Sequence, residues 1–309
     1  MKLNSNNQAM QAISKISINA SGFGEFQKKF AFVWNNAEGI YVWDLDGRKF
    51  LDTTSGWFSA NMGHNHPRLT QALIEQAHKF WGVSSGFSHE AREKFVYALT
   101  QQMPSNLSRV IIGSSGAEAN EIVLQMGREY AGDKGIVAFT GSFHGKTYAT
   151  RHLGGNDSFR KHLGGSPSPI PIYRMEYPYP YRSGDISNET QIEDHCVAKL
   201  QSYIDDSRNP LKNVGALILE PAQGVGGFIV PPQGFLAKIR EFCTRNNIVM
   251  IADEVITGFG RCGPLYYSTG QGIVPDIVVS GKGIANGLPM SAVIVDDALF
   301  AELDRKSVV

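Results

Sequence analysis

From about residue 86 onward, short apolar runs alternate with longer segments of helical periodicity, and this pattern constrains the fold most strongly. The runs consist mainly of Val, Ile, Leu and Ala without polar alternation, which is typical of strands covered on both faces. Such alternation favours an α/β fold with a mainly parallel sheet. The predicted strands are 109–113, 135–139, 215–220, 247–253, 276–280 and 291–295, and the predicted helices are 88–103, 116–131, 189–206 and 231–246.

The region before residue 86 has a different pattern. Residues 1–30 are polar and are predicted to form a loose helix or arm. Two alternating runs flank Asp46-Gly47 within 39–52, which predicts a hairpin, and 66–81 has apolar residues at helical spacing. Farther along, the long irregular stretch 164–185, rich in Pro and Tyr, is predicted to be an ordered surface excursion or interface loop.

The composition argues against several classes of partner. The chain has 29 Lys and Arg and 29 Asp and Glu, so its formal net charge is zero and no global field attracts nucleic acid or an anionic membrane. No apolar run approaches membrane-spanning length, and the N-terminus is too polar for a signal peptide. The three cysteines are far apart and odd in number, which indicates neither a disulfide framework nor a zinc ribbon. We therefore predict a cytoplasmic protein. We predict no metal site, since His64 and His66 lack a third ligand in the sequence.

The segment 113–130 combines a strand end with a helix start. Ser115 is suited to be the N-cap, and Glu118 three residues later would complete a capping box. The exposed N–H groups of such a helix start also bind anions, most often phosphate. Capping alone remains an alternative interpretation. This loop lacks a Walker lysine, which disfavours a P-loop nucleoside triphosphatase.

Other side chains with chemical potential follow neighbouring strands, and the carboxyl ends of parallel strands share one edge of the sheet. Phe143, beside His144, is either core or a flat face for a planar ring. Glu220 follows one strand, and the pair Asp253-Glu254 ends another, where a carboxylate is costly unless it meets a cation or hydrogen-bond donors. The glycines of 258–263 formally match a dinucleotide-binding motif, but they neither follow the strand directly nor open a helix, so we reject that interpretation.

Lys282 lies between Gly281 and Gly283, just past an apolar run. Alone, it is best explained as a lysine whose stem packs while its ammonium reaches water. Together with a phosphate cradle, an aromatic plate and strand-end carboxylates, it indicates pyridoxal phosphate. That cofactor requires a lysine, a carboxylate facing its ring nitrogen and a phosphate site.

With those residues identified, the chain resembles a class-III (ω-type) aminotransferase of the pyridoxal-phosphate fold-type-I superfamily. Seven stretches carry the resemblance in family order: YVWDLDGRKFLD, TTSGWFSANMGHNHP, SSGAEANE, SFHGKT, LILEPAQG, IADEVITGFGR and SGKGIANGLPMSAV. The resemblance implies a mainly parallel, seven-stranded-type sheet flanked by helices, preceded by part of a smaller α+β domain. We accordingly predict an N-terminal arm and part of the small domain over 1–65, and the large cofactor-binding domain over 66–309.

The resemblance also implies roles for individual residues. Lys282 would hold the cofactor as an internal aldimine and move a proton, and Asp253 would pair with the pyridinium nitrogen. Cofactor contacts would also come from Ser115, Gly116, Ala117, Phe143, His144, Glu220 and Val255. Trp57 would line the substrate side, with Glu220 near the substrate carboxylate or a gating arginine.

The implied reaction transfers an amino group from an amino acid, an ω-amino acid or an amine to a 2-oxo acid by ping-pong chemistry. The cofactor motifs leave a racemase, an aminomutase or a decarboxylating transaminase open as alternatives. Ile256 stands where some members have glutamine, which leaves the partner of the cofactor's phenolic oxygen open. Family members are homodimers and continue beyond the point that corresponds to Val309. A chain ending there is expected to be truncated, without the C-terminal small domain, so an inactive fragment is a further alternative.

Overall fold

A computed structural model describes residues 5–8, 32–84, 86–131, 134–184, 188–206 and 213–304. The chain forms two compact units, Met1–Phe87 and Ser88–Val309. The predicted domain boundary between residues 65 and 66 stays a prediction. Apart from residues 5–8, the predicted arm over 1–30 lies outside the described residues.

The described residues of the first unit include a small antiparallel sheet, a left-handed turn and a helix of 13 residues. The sheet order is β1-β2-β3, with strands β1 (Trp34–Glu38), β2 (Tyr41–Asp44) and β3 (Lys49–Leu51). Strands β2 and β3 form the predicted hairpin, and Gly47 in its turn has φ +78°. The segment Ser55–Phe58 is a turn in which all four residues have positive φ, and helix α1 (Pro67–Lys79) follows.

The second unit is built on a seven-stranded sheet in the order β4-β10-β9-β8-β7-β5-β6. Its strands are β4 (Leu107–Gly113), β5 (Gly135–Phe139), β6 (Ile172–Met175), β7 (Val214–Leu219), β8 (Val249–Asp253), β9 (Ile277–Ser280) and β10 (Ser291–Asp296). Strand β10 runs antiparallel to β4 and to β9, and the remaining pairs are parallel. This arrangement confirms the predicted mainly parallel sheet and brings the carboxyl ends of β4, β5, β7, β8 and β9 to one edge.

Helices cover both faces of this sheet, as the continuous apolar strands predict. The helices are α2 (Glu90–Thr100), α3 (Gly116–Ala131), α4 (Tyr148–Leu153), α5 (Asp157–Arg160), α6 (Glu189–Asp205), α7 (Phe235–Arg245), α8 (Tyr267–Gly270) and α9 (Asp297–Asp304). Alternate residues of β7 serve different cores. Ala216 and Ile218 pack with α3, whereas Leu217 and Leu219 pack with α6 and α7. Within the described ranges, no helix combines the length and apolar character needed to cross a bilayer.

The prediction of a surface excursion or interface loop over 164–185 was wrong in part. Residues Ile172–Met175 form β6, which pairs in parallel with β5 at the edge of the sheet. An edge strand is covered less completely than a central one, so its sequence need not be continuously apolar. Here Arg174 interrupts the pattern, and nearby prolines hide a four-residue strand from a search for apolar runs.

Candidate active site

A cavity of about 250 Å³ lies at the carboxyl edge of the seven-stranded sheet. The segments that follow β4, β5, β7, β8 and β9 line this cavity, because all five strands end at this edge. The lining residues are Gly116, Ala117, Asn120, Phe143, His144, Gly145, Lys146, Glu220, Asp253, Val255, Ile256 and Lys282. Eight of the predicted site residues are thus brought together within one unit of the fold.

Asp253 is the most firmly held group in this cavity. It ends the fully buried strand β8, and its side chain is only 3% exposed. Its Oδ2 lies 2.7 Å from Nδ1 of His144 and accepts a 2.8 Å hydrogen bond from Nδ2 of Asn120. Its Oδ1 accepts a 3.1 Å bond from the backbone N–H of Val255. A carboxylate has about four acceptor positions. These contacts occupy three of them and leave capacity for one further donor.

Asn120 was missed by sequence reasoning. It lies one turn after Gly116 on α3, and its Nδ2 also donates to the backbone oxygen of His144 at 2.8 Å. One amide thereby ties the helix to both members of the His144–Asp253 pair. The helical spacing from Gly116 places Asn120 on the same face of α3, which is the signal that could have identified it.

Glu220 follows β7 and is 2% exposed. Its Oε1 accepts from the backbone N–H of Phe143 at 2.8 Å, and its Oε2 accepts from that of Gly224 at 3.0 Å. Burial raises the pKa of Glu220 to about 7. His144 opposes that shift, Asp253 reinforces it, and the two backbone bonds also oppose it.

Lys282 follows β9 at the start of a 3₁₀ turn, Lys282–Ala285. Its φ is +48°, a left-handed conformation that costs a non-glycine residue about 1–2 kcal/mol. Burial lowers the pKa of the Lys282 ammonium to about 8, although Asp253 and Glu220 act in the opposite direction. A half-buried amine that loses its proton this readily is suited to act as a nucleophile or as a proton carrier.

The start of α3 forms the wall of the cavity nearest Val255. Ser115 Oγ accepts from the N–H of Glu118 at 3.2 Å, and the Glu118 carboxylate accepts from Ser114 N–H at 2.6 Å. The two side chains therefore cap the helix start reciprocally, although the carboxylate reaches Ser114 and not the N-cap itself. The first amides of a helix have no intrahelical acceptor, so those of Gly116 and Ala117 are placed to bind an anion.

The adjacent carboxylates of Asp253 and Glu254 face different surroundings. Glu254 accepts bonds from Thr257 Oγ1 at 2.7 Å, Tyr267 N–H at 2.7 Å and Ser268 N–H at 2.8 Å. It orders the loop before α8 and does not line the cavity. Trp57 belongs to the first unit, so its predicted place on the substrate side stays a prediction.

The profile of the family described as "Aminotransferase class-III" matches residues 24–307. The chain belongs to the class-III aminotransferase family. It is 35% identical over 267 residues to a 4-aminobutyrate aminotransferase of Mycobacterium leprae, an alignment that covers 85% of this chain and 59% of that protein. A putrescine–pyruvate aminotransferase of Pseudomonas aeruginosa is 33% identical over 92% of this chain and 63% of its own length.

Solved structures show the same relationship. A thermostable (S)-enantioselective ω-transaminase from Thermomicrobium roseum superposes with a TM-score of 0.90 at 28% identity, covering 99% of this chain and 69% of the other. This agreement confirms the fold-type-I architecture. The chain spans about 60% of the length of the curated relatives named above.

Close packing against Val255 requires a glycine at position 116. A Cβ atom there would lie 2.8 and 2.9 Å from the two methyl carbons of Val255. We expect Gly116→Ala to lower the free energy of unfolding by about 1–3 kcal/mol, because a β-branched neighbour has little rotamer freedom to yield. Urea denaturation measures the change. Gly82→Ala, at a site with no atom within 4 Å, is the matched control.

The double variant Gly116→Ala/Val255→Ala distinguishes crowding from a general intolerance of alanine. It should recover part of the loss, with a coupling free energy of at least about 0.5 kcal/mol. Strict additivity of the two substitutions would contradict the assigned contact.

Glu220 should make the stability of the chain depend on pH. The folded pKa of about 7 exceeds the ordinary value of 4.5, so the folded state retains the proton that the unfolded state releases between those values. This group should therefore reduce the free energy of unfolding by up to about 3 kcal/mol as the pH rises from 4.5 to 7. Glu220→Gln should remove that part of the pH dependence. It should also carry a pH-independent cost, because one amide cannot accept both backbone bonds.

Denaturation at pH 5 and at pH 8 measures the free energy of unfolding of the variant and of wild type, and the effect is the difference between them at each pH. Glu241→Gln, at an exposed carboxylate on α7, is the control and should give the same difference at both values. A Glu220→Gln difference that is also independent of pH would contradict the raised pKa.

Proposed function

We propose that this chain carries the pyridoxal-phosphate site of an aminotransferase that moves an amino group from an amino acid, an ω-amino acid or an amine to a 2-oxo acid. The observation that carries the proposal is the half-buried Lys282 amine, which lines one cavity with Asp253 and Glu220 and has a pKa of about 8. Family membership and the relatives named above support it.

The residues present fit the cofactor. The cavity supplies an amine, a fixed carboxylate, an aromatic ring at Phe143 and a helix start, which are the groups that pyridoxal phosphate requires. Two buried atoms, Asn120 Oδ1 and His144 Nε2, have no hydrogen-bond partner among the described atoms, as expected of a polar site that awaits a ligand. When bound, the cofactor supplies an aldehyde carbon and an electron-withdrawing ring that stabilises negative charge at the substrate α-carbon.

Lys282 is the proposed nucleophile and proton carrier. A pKa of about 8 leaves about a tenth of its amines neutral at pH 7, compared with fewer than about one in a thousand at the ordinary value. Only the neutral amine can attack a carbonyl carbon or accept a proton. Burial therefore raises the fraction of the reactive form, and the proton can return to substrate without crossing bulk water.

Asp253 is the proposed partner of the ring nitrogen. His144 and Asn120 hold its Oδ2, and Val255 N–H holds its Oδ1, so the carboxylate is fixed before a ligand arrives. A fixed negative charge in a buried site favours a protonated ring nitrogen. Phe143 and Val255 are proposed to contact opposite ring faces, and Ser115, Gly116 and Ala117 to hold the phosphate.

The proposal is tested by mixing the purified chain and pyridoxal phosphate with 4-aminobutyrate or putrescine, the donors in the names of two relatives. Pyruvate or 2-oxoglutarate serves as acceptor, and chromatography follows the new alanine or glutamate. Wild type should form product in proportion to enzyme, and Lys282→Ala should not. Donor that is racemised, rearranged or decarboxylated without transfer would select one of the alternative reactions. Bound cofactor without turnover would contradict the activity for this chain while retaining the site.

A homodimer and a cytoplasmic location belong to the same proposal. Helix α1 buries none of its residues, and its apolar side chains Leu69, Leu73 and Ile74 are 36–48% exposed, which suits a surface that meets a second copy. The cytoplasmic location is supported by the three cysteines, all of which are free thiols. Light scattering tests the dimer: a mass of 33.9 kDa, that of one chain, would contradict it.

A further inference from the structure

A second cavity, of about 580 Å³, lies against the edge strand β6 and shares no residue with the candidate active site. Helices α4 and α5, strand β6 and the loop between them line it. We call it the basic cavity and define it by His152, Asp157, Arg160, Lys161 and Arg174. None of these five residues has a role in the proposed amino transfer.

The charge of the basic cavity is not balanced. Arg160 and Arg174 both donate to the backbone oxygen of Gly154, which brings the two guanidinium groups together, and Arg174 also donates to His152 O. Asp157 is the one carboxylate among the described lining residues, and it is paired with Arg160 and is 99% exposed. Arg160, Lys161 and Arg174 thus leave about two positive charges uncompensated. Burial, and then the charge of Arg160, lower the pKa of Arg174.

His152 supplies an independent observation. His152 is one of the lining residues and is 6% exposed, and its Nε2 is buried without a hydrogen-bond partner in the described part of the chain. A buried polar atom left unpaired costs about 1–3 kcal/mol, so a ligand that pairs with it is favoured. Burial lowers the pKa of His152, which keeps the ring neutral with one N–H to donate.

We propose that the basic cavity binds a small multivalent oxyanion, of the phosphate or dicarboxylate class, between Arg160 and Arg174, with His152 as a further donor. Guanidinium groups present paired N–H donors that match the oxygens of such anions, and a bound anion removes the repulsion between the two arginines. The site does not depend on the proposed function, because it shares no residue with the active-site cavity.

Binding should also stabilise the protein. Arg160 ends the short helix α5, whereas Arg174 lies in β6, so one anion bridging both ties α5 to the sheet. Phe159 on α5 contacts Phe143 of the active-site cavity, with ring centroids 5.1 Å apart. Anion binding is thus expected to hold the segment that supports Phe143.

Calorimetric titration and thermal unfolding of the full 309-residue chain test the proposal, with inorganic phosphate and succinate as probes and sodium chloride at matched ionic strength as reference. We expect saturable binding and a rise in Tm with at least one probe, and a preference between phosphate and succinate identifies the anion class. Arg174→Gln should weaken binding at least tenfold, because a charge-assisted hydrogen bond pair is lost. Arg245→Gln, at an exposed helical arginine, is the control and should bind as wild type does.

Two results would overturn the proposal. One is the absence of saturable binding beyond the chloride reference. The other is wild-type affinity in both Arg174→Gln and Arg160→Gln. Loss of binding in Gly116→Ala, but in neither arginine variant, would assign the anion to the start of α3. Arg160 is partly exposed, so Arg160→Gln provides the decisive comparison if Arg174→Gln does not fold, as judged by circular dichroism.

Discussion

Lys282→Ala is expected to abolish covalent attachment of pyridoxal phosphate to the chain. In wild type, borohydride reduction followed by peptide mass mapping should place the pyridoxyl label on Lys282, because that amine lines the cavity and its pKa is about 8. Amino transfer by the variant should fall by at least about 10²–10⁴-fold, since the nucleophile and the proton carrier are lost together.

Lys146→Ala is the matched control, because Lys146 lines the same cavity. This variant should retain the label at Lys282. A wild-type label found on Lys146 and not on Lys282, or no label although cofactor is bound, would contradict the assignment.

Lys282→Ala is expected to abolish activity but to stabilise the folded chain. The folded pKa of Lys282, about 8, lies below its ordinary value of 10.5, so burying the ammonium destabilises the fold fully below pH 8 and not at all above pH 10.5. Without cofactor, Lys282→Ala should therefore be up to about 3 kcal/mol more stable at pH 7, less whatever packing the lysine stem provides. A folded, more stable variant that binds no cofactor covalently separates the chemical role from damage to the structure.

The seven-stranded sheet was predictable because its central strands are buried on both faces. Such strands have continuous apolar sequences, and β5, β7 and β8 are fully buried along their length. Strand β6 left no comparable signal, since an edge strand with Arg174 on it is only partly covered. The order of the strands is a long-range property that local periodicity does not contain.

The candidate site was predictable where its residues follow strands directly. Asp253 and Lys282 each come within two residues of a strand end, so their convergence follows from a parallel sheet. Asn120 lies inside a helix, where a polar residue ordinarily faces solvent, and only the packing of α3 against the strand ends turns it toward Asp253. The sequence also does not separate Asp253 from Glu254. Which carboxylate faces the cavity depends on the loop that Glu254 organises.

Asp253→Asn is expected to reduce amino transfer at least 10²-fold and to weaken cofactor binding. Removing one member of a buried ion pair costs about 3–5 kcal/mol, because the remaining charge is left without compensation in a site from which water is excluded. Asparagine has one carbonyl oxygen where Asp253 uses two, Oδ2 for Asn120 and Oδ1 for Val255 N–H, so the variant should keep one of these bonds and lose some stability. The charge that favours a protonated ring nitrogen is lost, so the absorbance of bound cofactor should titrate at lower pH than in wild type.

Glu254→Gln is the comparison that distinguishes an effect of charge on the cofactor ring from an effect on the stability of the end of β8. Glu254 is also buried, but its oxygens bind Thr257, Tyr267 and Ser268 and not the cavity. Glu254→Gln should lower the free energy of unfolding and leave the absorbance titration of bound cofactor unchanged. The reverse pattern, with the titration moved by Glu254→Gln and not by Asp253→Asn, would mean that Asp253 acts only by fixing His144 and Asn120. The charge that the ring nitrogen senses would then be that of Glu254 and not that of Asp253.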